Sequence, residues 1–181
     1  MTKLVIEADG GSRGNPGPAG SGAVILDEAG NLLGSISIYL GETTNNVAEY
    51  RAVIAAVELA KDISPSCELI IKMDSKLVVE QMSGRWKVKH ENMAELSGVL
   101  SDILEGTEAS FEWIPREENT RADALANLAM DTESSQTKRF DQSESQVTNL
   151  GATQVEFNKE LPSSVRAPSN ITKGLTTLIL V

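Results

Sequence analysis

Four acidic residues stand where this chain could do chemistry: Asp9, Glu49, Asp74 and Asp123. Asp9 ends the β-branched run Lys3–Asp9, and Asp74 follows the apolar run Cys67–Met73, so both belong to the C-terminal ends of strands. Glu49 and Asp123 fall in the first turns of two helical patterns. Each has an ordinary alternative. Asp9-Gly10 favours a tight turn, and Asn46 to Glu49 has the spacing of a capping box. Asp74 precedes a helix it could cap, and Asp123 complements a helix dipole. Together they mean more. Four carboxylates converging without four bases repel one another, and bound cations relieve that repulsion. With no Cys or His among them, they suit hard, oxygen-preferring Mg2+ or Mn2+. Two such ions among carboxylates serve phosphodiester hydrolysis.

The rest of the composition narrows the field. Cys67 and His90 are the single cysteine and histidine of 181 residues, which excludes an intrachain disulfide and a Cys/His zinc site and disfavours a Ser-His-Asp hydrolase. Sixteen Lys and Arg stand against 26 Asp and Glu, a net charge of -10, so the chain lacks the basic surface of an indiscriminate phosphate binder. The apolar stretches are too short for a membrane span, and the N-terminus lacks a basic-then-apolar signal pattern, so a cytoplasmic protein without a membrane partner is expected.

The carboxylates need a scaffold. Lys3–Asp9, Gly22–Leu26 and Leu32–Leu40 form three strand candidates with short links, an antiparallel meander. Gly10 to Gly20, rich in Gly and Pro, is expected as the loop between the first two. It carries no Gly-Lys-Ser/Thr and precedes a strand, which excludes a P-loop. From Asn46 to Lys61 the period becomes helical, with small Ala52 and Ala56 on the Glu49 face, where they let the helix approach the sheet. A strand over Cys67–Met73, helices over Ser75–Met82 and Met93–Leu104, a strand over Ala109–Ile114 and a helix over Arg121–Met130 follow. This is an α/β pattern, a mixed sheet with helices on its faces. Trp86, in the basic connector Trp86–His90, could stack on a sugar or cap the core, the core being favoured; Cys67 is expected to be a small buried residue and His90 to be solvated.

Four ordered segments carry a resemblance. Ile6 to Gly20, Thr43 to Tyr50, Met73 to Ser75 and Asn119 to Ala126 are similar to the signature segments of type 1 ribonuclease H, over residues 1–131. The resemblance implies a ribonuclease H-like five-stranded mixed sheet of order 3-2-1-4-5 with helices on both faces. It implies Mg2+-dependent endonucleolytic cleavage of the RNA strand of an RNA/DNA hybrid, leaving 5′-phosphate and 3′-hydroxyl ends, with Mn2+ as a substitute. By position, Asp9, Glu49, Asp74 and Asp123 match the family's metal-binding carboxylates. Gly10, Gly11, Arg13, Asn15, Asn45, Asn46, Ser75 and Arg116 are the implied substrate contacts, the Gly-rich segment bringing amides to the 2′-hydroxyls that distinguish RNA from DNA. Two departures stand out. The loop Ile114–Asn119 holds Arg116 and no histidine, as in the branch of the family that lacks one, and the basic helix of some relatives is reduced to Arg85–His90. A non-cleaving nucleic-acid-binding module of the same fold is the alternative. Four carboxylates facing phosphate argue against it.

Beyond Asp131 the composition shifts. Residues 132–170, with seven serines and no apolar period, are expected to be a flexible, disordered linker. Residues 171–181 are strand-like and resemble the first strand of histidine phosphatases, without the Arg-His-Gly that would follow. The arrangement resembles a bacterial bifunctional ribonuclease H/acid phosphatase, implying a fused phosphatase domain beyond residue 181. The chain as given lacks the phosphatase nucleophile, and no obligate protein partner is expected.

Overall fold

In the computed structural model, which describes residues 2–140, β1 (Thr2–Ser12), β2 (Gly17–Asp27) and β3 (Leu32–Thr43) form the antiparallel meander. α1 (Asn45–Ile63) leads to β4 (Cys67–Met73), which lies parallel to β1 on its other side. α2 (Lys76–Met82) and α3 (Glu91–Leu104) lead to β5 (Ala109–Trp113), parallel to β4. A single 3₁₀ turn over Arg116–Glu118 and α4 (Thr120–Thr132) complete the expected elements.

Alternation decides which side each helix covers. Leu4, Ile6 and Ala8 of β1 are fully buried in a core shared with Val53 and Val57 of α1, Val78 of α2 and Leu100 of α3. Val5 faces the other way, into a smaller cluster with Val24, Leu26 and Leu125 of α4. Helices therefore cover both faces, as expected. Cys67 is buried and His90 is exposed at the N-terminus of α3.

The expected order 3-2-1-4-5 is present, but the sheet has six strands, not five: β5-β4-β1-β2-β3-β6. The added strand, β6 (Gln136–Arg139), pairs antiparallel with Gly34–Ser37 of β3, inside residues expected to be linker. All four of its side chains are exposed, so no apolar alternation marks it. Main-chain bonding at the open edge of β3 recruits it. Glu133, left-handed at φ 48°, ends α4 and turns the chain back, and Ser135 Oγ accepts from Tyr39 N at 3.0 Å. The rest of the expected linker and strand-like end, residues 141–181, lies outside the described residues.

The second correction concerns Gly10 to Gly20. Most of it is strand: β1 continues to Ser12 and β2 begins at Gly17, leaving Arg13–Pro16 as the turn. Its glycines serve clearance more than flexibility. A Cβ on Gly10 would stand 2.1 Å from the Ala48 carbonyl carbon of α1, and one on Gly20 2.5 Å from the Ala126 carbonyl oxygen of α4. Gly22 repeats the pattern, 2.3 Å from the Ala122 carbonyl oxygen. Both helices thus lie nearly on the backbone of the central hairpin.

Candidate active site

Asp9 does not end its strand. It sits where β1 passes the end of β4: parallel pairing stops at Glu7 with Lys72, while Asp9 remains paired with Gly22 of β2. Asp74 follows Met73, the last residue of β4, at the same carboxyl edge. Ligands of α/β sheets gather at that edge.

Glu49 arrives on α1. Thr44, not Asn46, caps this helix, its hydroxyl oxygen accepting from Val47 N, so Glu49 is not in a capping box. The contact of Gly10 with the Ala48–Glu49 backbone brings this part of α1 against β1, and Glu49 lies just past the first turn in which it was expected. Asn45 Nδ2 donates to Glu49 Oε1 at 2.9 Å and Ser75 Oγ to Glu49 Oε2 at 2.6 Å. Ser75 also caps α2, so Asp74 does not. Asp123, in the first turn of α4, accepts from Arg116 at 2.8 Å and from Asn127 Nδ2 at 3.0 Å.

The electrostatics show that the four carboxylates share one neighbourhood. Asp9, nearly buried, is pushed up to about 7 by desolvation, then by the charges of Asp74 and Asp123, with Glu49 adding to them; the Gly10 amide, donating at 2.8 Å, opposes the rise. Glu49 is also pushed up to about 7, by burial and then by Asp74, against the bonds from Ser75 and Asn45. Arg116 is held more basic by its bond to Asp123 and by the charges of Asp123, Asp9 and Asp74.

Among the described residues, no group of three or more His, Cys, Asp or Glu side chains stands arranged to hold a metal ion. The donor set fits hard cations all the same. It offers carboxylate oxygens alone, and two of its members, Asp9 and Glu49, are costly to ionise, first because they are buried and then because nearby carboxylate charge, Asp74 for both, adds to that cost.

Two contributors were not legible as site residues. Trp113, 53% exposed at the end of β5, donates its indole N–H to the Asp74 carbonyl at 3.1 Å. Asn119, fully buried, donates from Nδ2 to Asp74 Oδ1 at 2.7 Å and to the Ala8 carbonyl at 2.9 Å. A residue before a helix signals a cap, and nothing in that position reveals burial.

The expected substrate contacts fall into three groups. Asn45, Ser75 and Arg116 bond directly to the carboxylates. Gly10 gives its amide to Asp9, Asn15 Oδ1 accepts from Asn45 N at 3.2 Å, and Asn46 is exposed beside them. Gly11 is half-buried against Met130, and Arg13 pairs with Asp131 at the C-terminal end of α4, away from the carboxylates. Trp86, expected to cap the core, is instead 47% exposed. A groove of about 480 Å³ between α2, α3 and β5, lined by residues such as Arg85, Leu104 and Phe111, includes none of the four carboxylates.

The family model described as "Reverse transcriptase-like" matches residues 7–129. The chain is 32% identical over 148 residues to "Ribonuclease H" of Alcanivorax borkumensis, spanning 72% of this chain and 93% of that one. The chain belongs to the ribonuclease H family. To "Bifunctional protein Rv2228c" of Mycobacterium tuberculosis it is 52% identical over 132 residues, 71% of this chain but only 36% of that protein's length. Its structure is similar to that of LC11-RNase H1 in complex with RNA/DNA hybrid, with a TM-score of 0.69 at 46% identity, covering 72% of this chain and 98% of that one. The ribonuclease H fold accounts for the placement of α1 and α4 against the central hairpin.

Proposed function

We propose that this ribonuclease H domain is a divalent-cation-dependent endoribonuclease that hydrolyses the RNA strand of RNA/DNA hybrids, leaving 5′-phosphate and 3′-hydroxyl ends. The observation that carries the proposal is the gathering of Asp9, Glu49, Asp74 and Asp123 from β1, α1, β4's end and α4, with Asp9 and Glu49 pushed up to about 7. The hybrid held by a structural relative supports the substrate class.

In this reading the four carboxylates hold two cations, Mg2+ or Mn2+. Cations held by Asp9, Glu49, Asp74 and Asp123 would supply Lewis-acid chemistry, lowering the pKa of an attacking water and stabilising a leaving 3′-oxygen. The chain's own residues orient the ligands. Ser75 and Asn45 fix both oxygens of Glu49, and Arg116 and Asn127 fix those of Asp123. Gly11, Asn15, Asn45 and Asn46 stand at the same end of the β1–β2 hairpin and α1, where they meet the sugar edge of a hybrid. A second domain beyond residue 181 belongs to the same proposal, supported by the name of the bifunctional mycobacterial relative, of whose length this chain spans 36%. Among the described residues, no helix is long and apolar enough to cross a membrane.

The test is incubation with end-labelled hybrid, duplex DNA and duplex RNA, with Mg2+ and with chelator. Cleavage confined to the RNA strand of the hybrid and abolished by chelator is expected. Equal cleavage of duplex DNA, or unchanged cleavage in chelator, would contradict the reading.

A further inference from the structure

Asn119 is the one described residue with a fully buried side-chain polar atom that has no partner, its Oδ1. Its amide cannot be turned to repair this. Nδ2 already faces two oxygens, the Ala8 carbonyl and Asp74 Oδ1, and reversal would set Oδ1 against both. The fold therefore accepts an orphaned acceptor in order to keep both donors in place. Buried polar atoms are otherwise satisfied, so such an exception asks for a reason.

The reason lies in what the two bonds join. Ala8 immediately precedes Asp9 on β1, and Asp74 follows β4. Asn119 also precedes α4, where its main-chain carbonyl accepts from Asp123 N at 3.1 Å. One residue thus ties together the backbones or side chains that carry three of the four carboxylates. Pairing of β1 with β4 stops at Glu7 and Lys72, so no ladder bond performs this task at Asp9 and Asp74.

We propose that Asn119 is a positioning residue that sets Asp74 against the end of β1, fixing the spacing of Asp74 and Asp9 for cation binding. The inference rests on the nuclease reading for its consequence in turnover, and on the geometry for its consequence in cation affinity. Partners that orient metal ligands typically contribute about 10- to 100-fold to affinity or activity.

The test uses the full chain with Asn119→Ala and Asn119→Asp. Alanine removes the clamp together with the orphaned atom; aspartate keeps the shape but loses the amide donors. Four quantities are measured: Mn2+ affinity by calorimetry, kcat and KM on hybrid, and melting temperature without metal. In both variants, Mn2+ affinity and kcat are expected to fall about 10- to 100-fold, with KM for hybrid nearly unchanged. For Asn119→Ala the melting temperature is expected to fall, because the Ala8 carbonyl and Asp74 Oδ1 lose their donor, so kcat and Mn2+ affinity are read at a temperature where the variant is fully folded. Wild-type Mn2+ affinity and kcat in both variants would overturn the proposal. So would a kcat loss that only follows the unfolded fraction, which is the mark of a purely structural role. If the wild-type protein binds Mn2+ but cuts no hybrid, the nuclease reading fails by itself. Weakened Mn2+ binding in the variants would then still support the clamp, and unchanged binding would overturn it.

Discussion

Asp9 and Glu49 form the inner side of the carboxylate group, and Asp74 and Asp123 the outer side. The two sides are partnered differently. The inner pair receives neutral donors alone, the Gly10 amide, Asn45 and the Ser75 hydroxyl, and both members are pushed up to about 7. On the outer side the protein supplies a cation of its own, with Arg116 on Asp123, and the Asn119 amide on Asp74. Negative charge is left uncompensated on the buried side, where water helps least. That is where an external cation gains most.

The sharpest way to break the contrast is to remove an inner charge. Asp9→Asn replaces an anionic ligand by a poor one, so hybrid cleavage should fall by more than the roughly 100-fold that losing a supporting partner costs. At neutral pH its metal-free melting temperature should be unchanged or higher, because repulsion is relieved. Near-normal turnover in a cleavage assay would remove Asp9 from the site.

The same charge should appear in the pH dependence of stability. The folded values of Asp9 and Glu49 lie above their ordinary 3.8 and 4.5, so the folded state binds protons more tightly than the unfolded chain. Metal-free stability is therefore highest below about pH 4 as far as these two groups contribute, and declines as pH rises towards about 7. The decline is on the order of a few kcal/mol. Chemical denaturation across that window should show it, and saturating Mg2+ should reduce it. A flat profile without metal would contradict the assignment.

A third perturbation separates the inner side from the surface. Gly10→Ala drives a Cβ into α1 beneath Glu49 and should cost about 1–3 kcal/mol or more. Gly30→Ala, in the β2–β3 turn at φ 84° with open space around it, should cost only about 1 kcal/mol. Urea melts of the two variants test the ranking. The smallest effect belongs to the outer side. Arg116 is three-quarters exposed, so Arg116→Ala should change stability by less than about 1 kcal/mol, measurable in the same melts.

The sequence made the carboxylates and their scaffold legible because both follow local rules. Asp9 and Asp74 end apolar runs, and Glu49 shares a helix face with small alanines. Three features escaped because they depend on what comes near in space. The Gly10–Gly20 stretch suggested a loop by composition, whereas α1 and α4 crowd Gly10 and Gly20 and demand the missing side chains. β6 has no side-chain pattern and owes its existence to main-chain groups on β3. Asn119 looked like helix-start chemistry, and its two bonds span 111 and 45 residues of sequence.

The central claim, that the four carboxylates form a cation site, is tested most directly by anomalous diffraction from crystals of the domain grown with Mn2+. The account predicts Mn2+ peaks among Asp9, Glu49, Asp74 and Asp123, strongest beside the inner pair. Mn2+ bound elsewhere on the surface, with the space between these carboxylates empty, would contradict it.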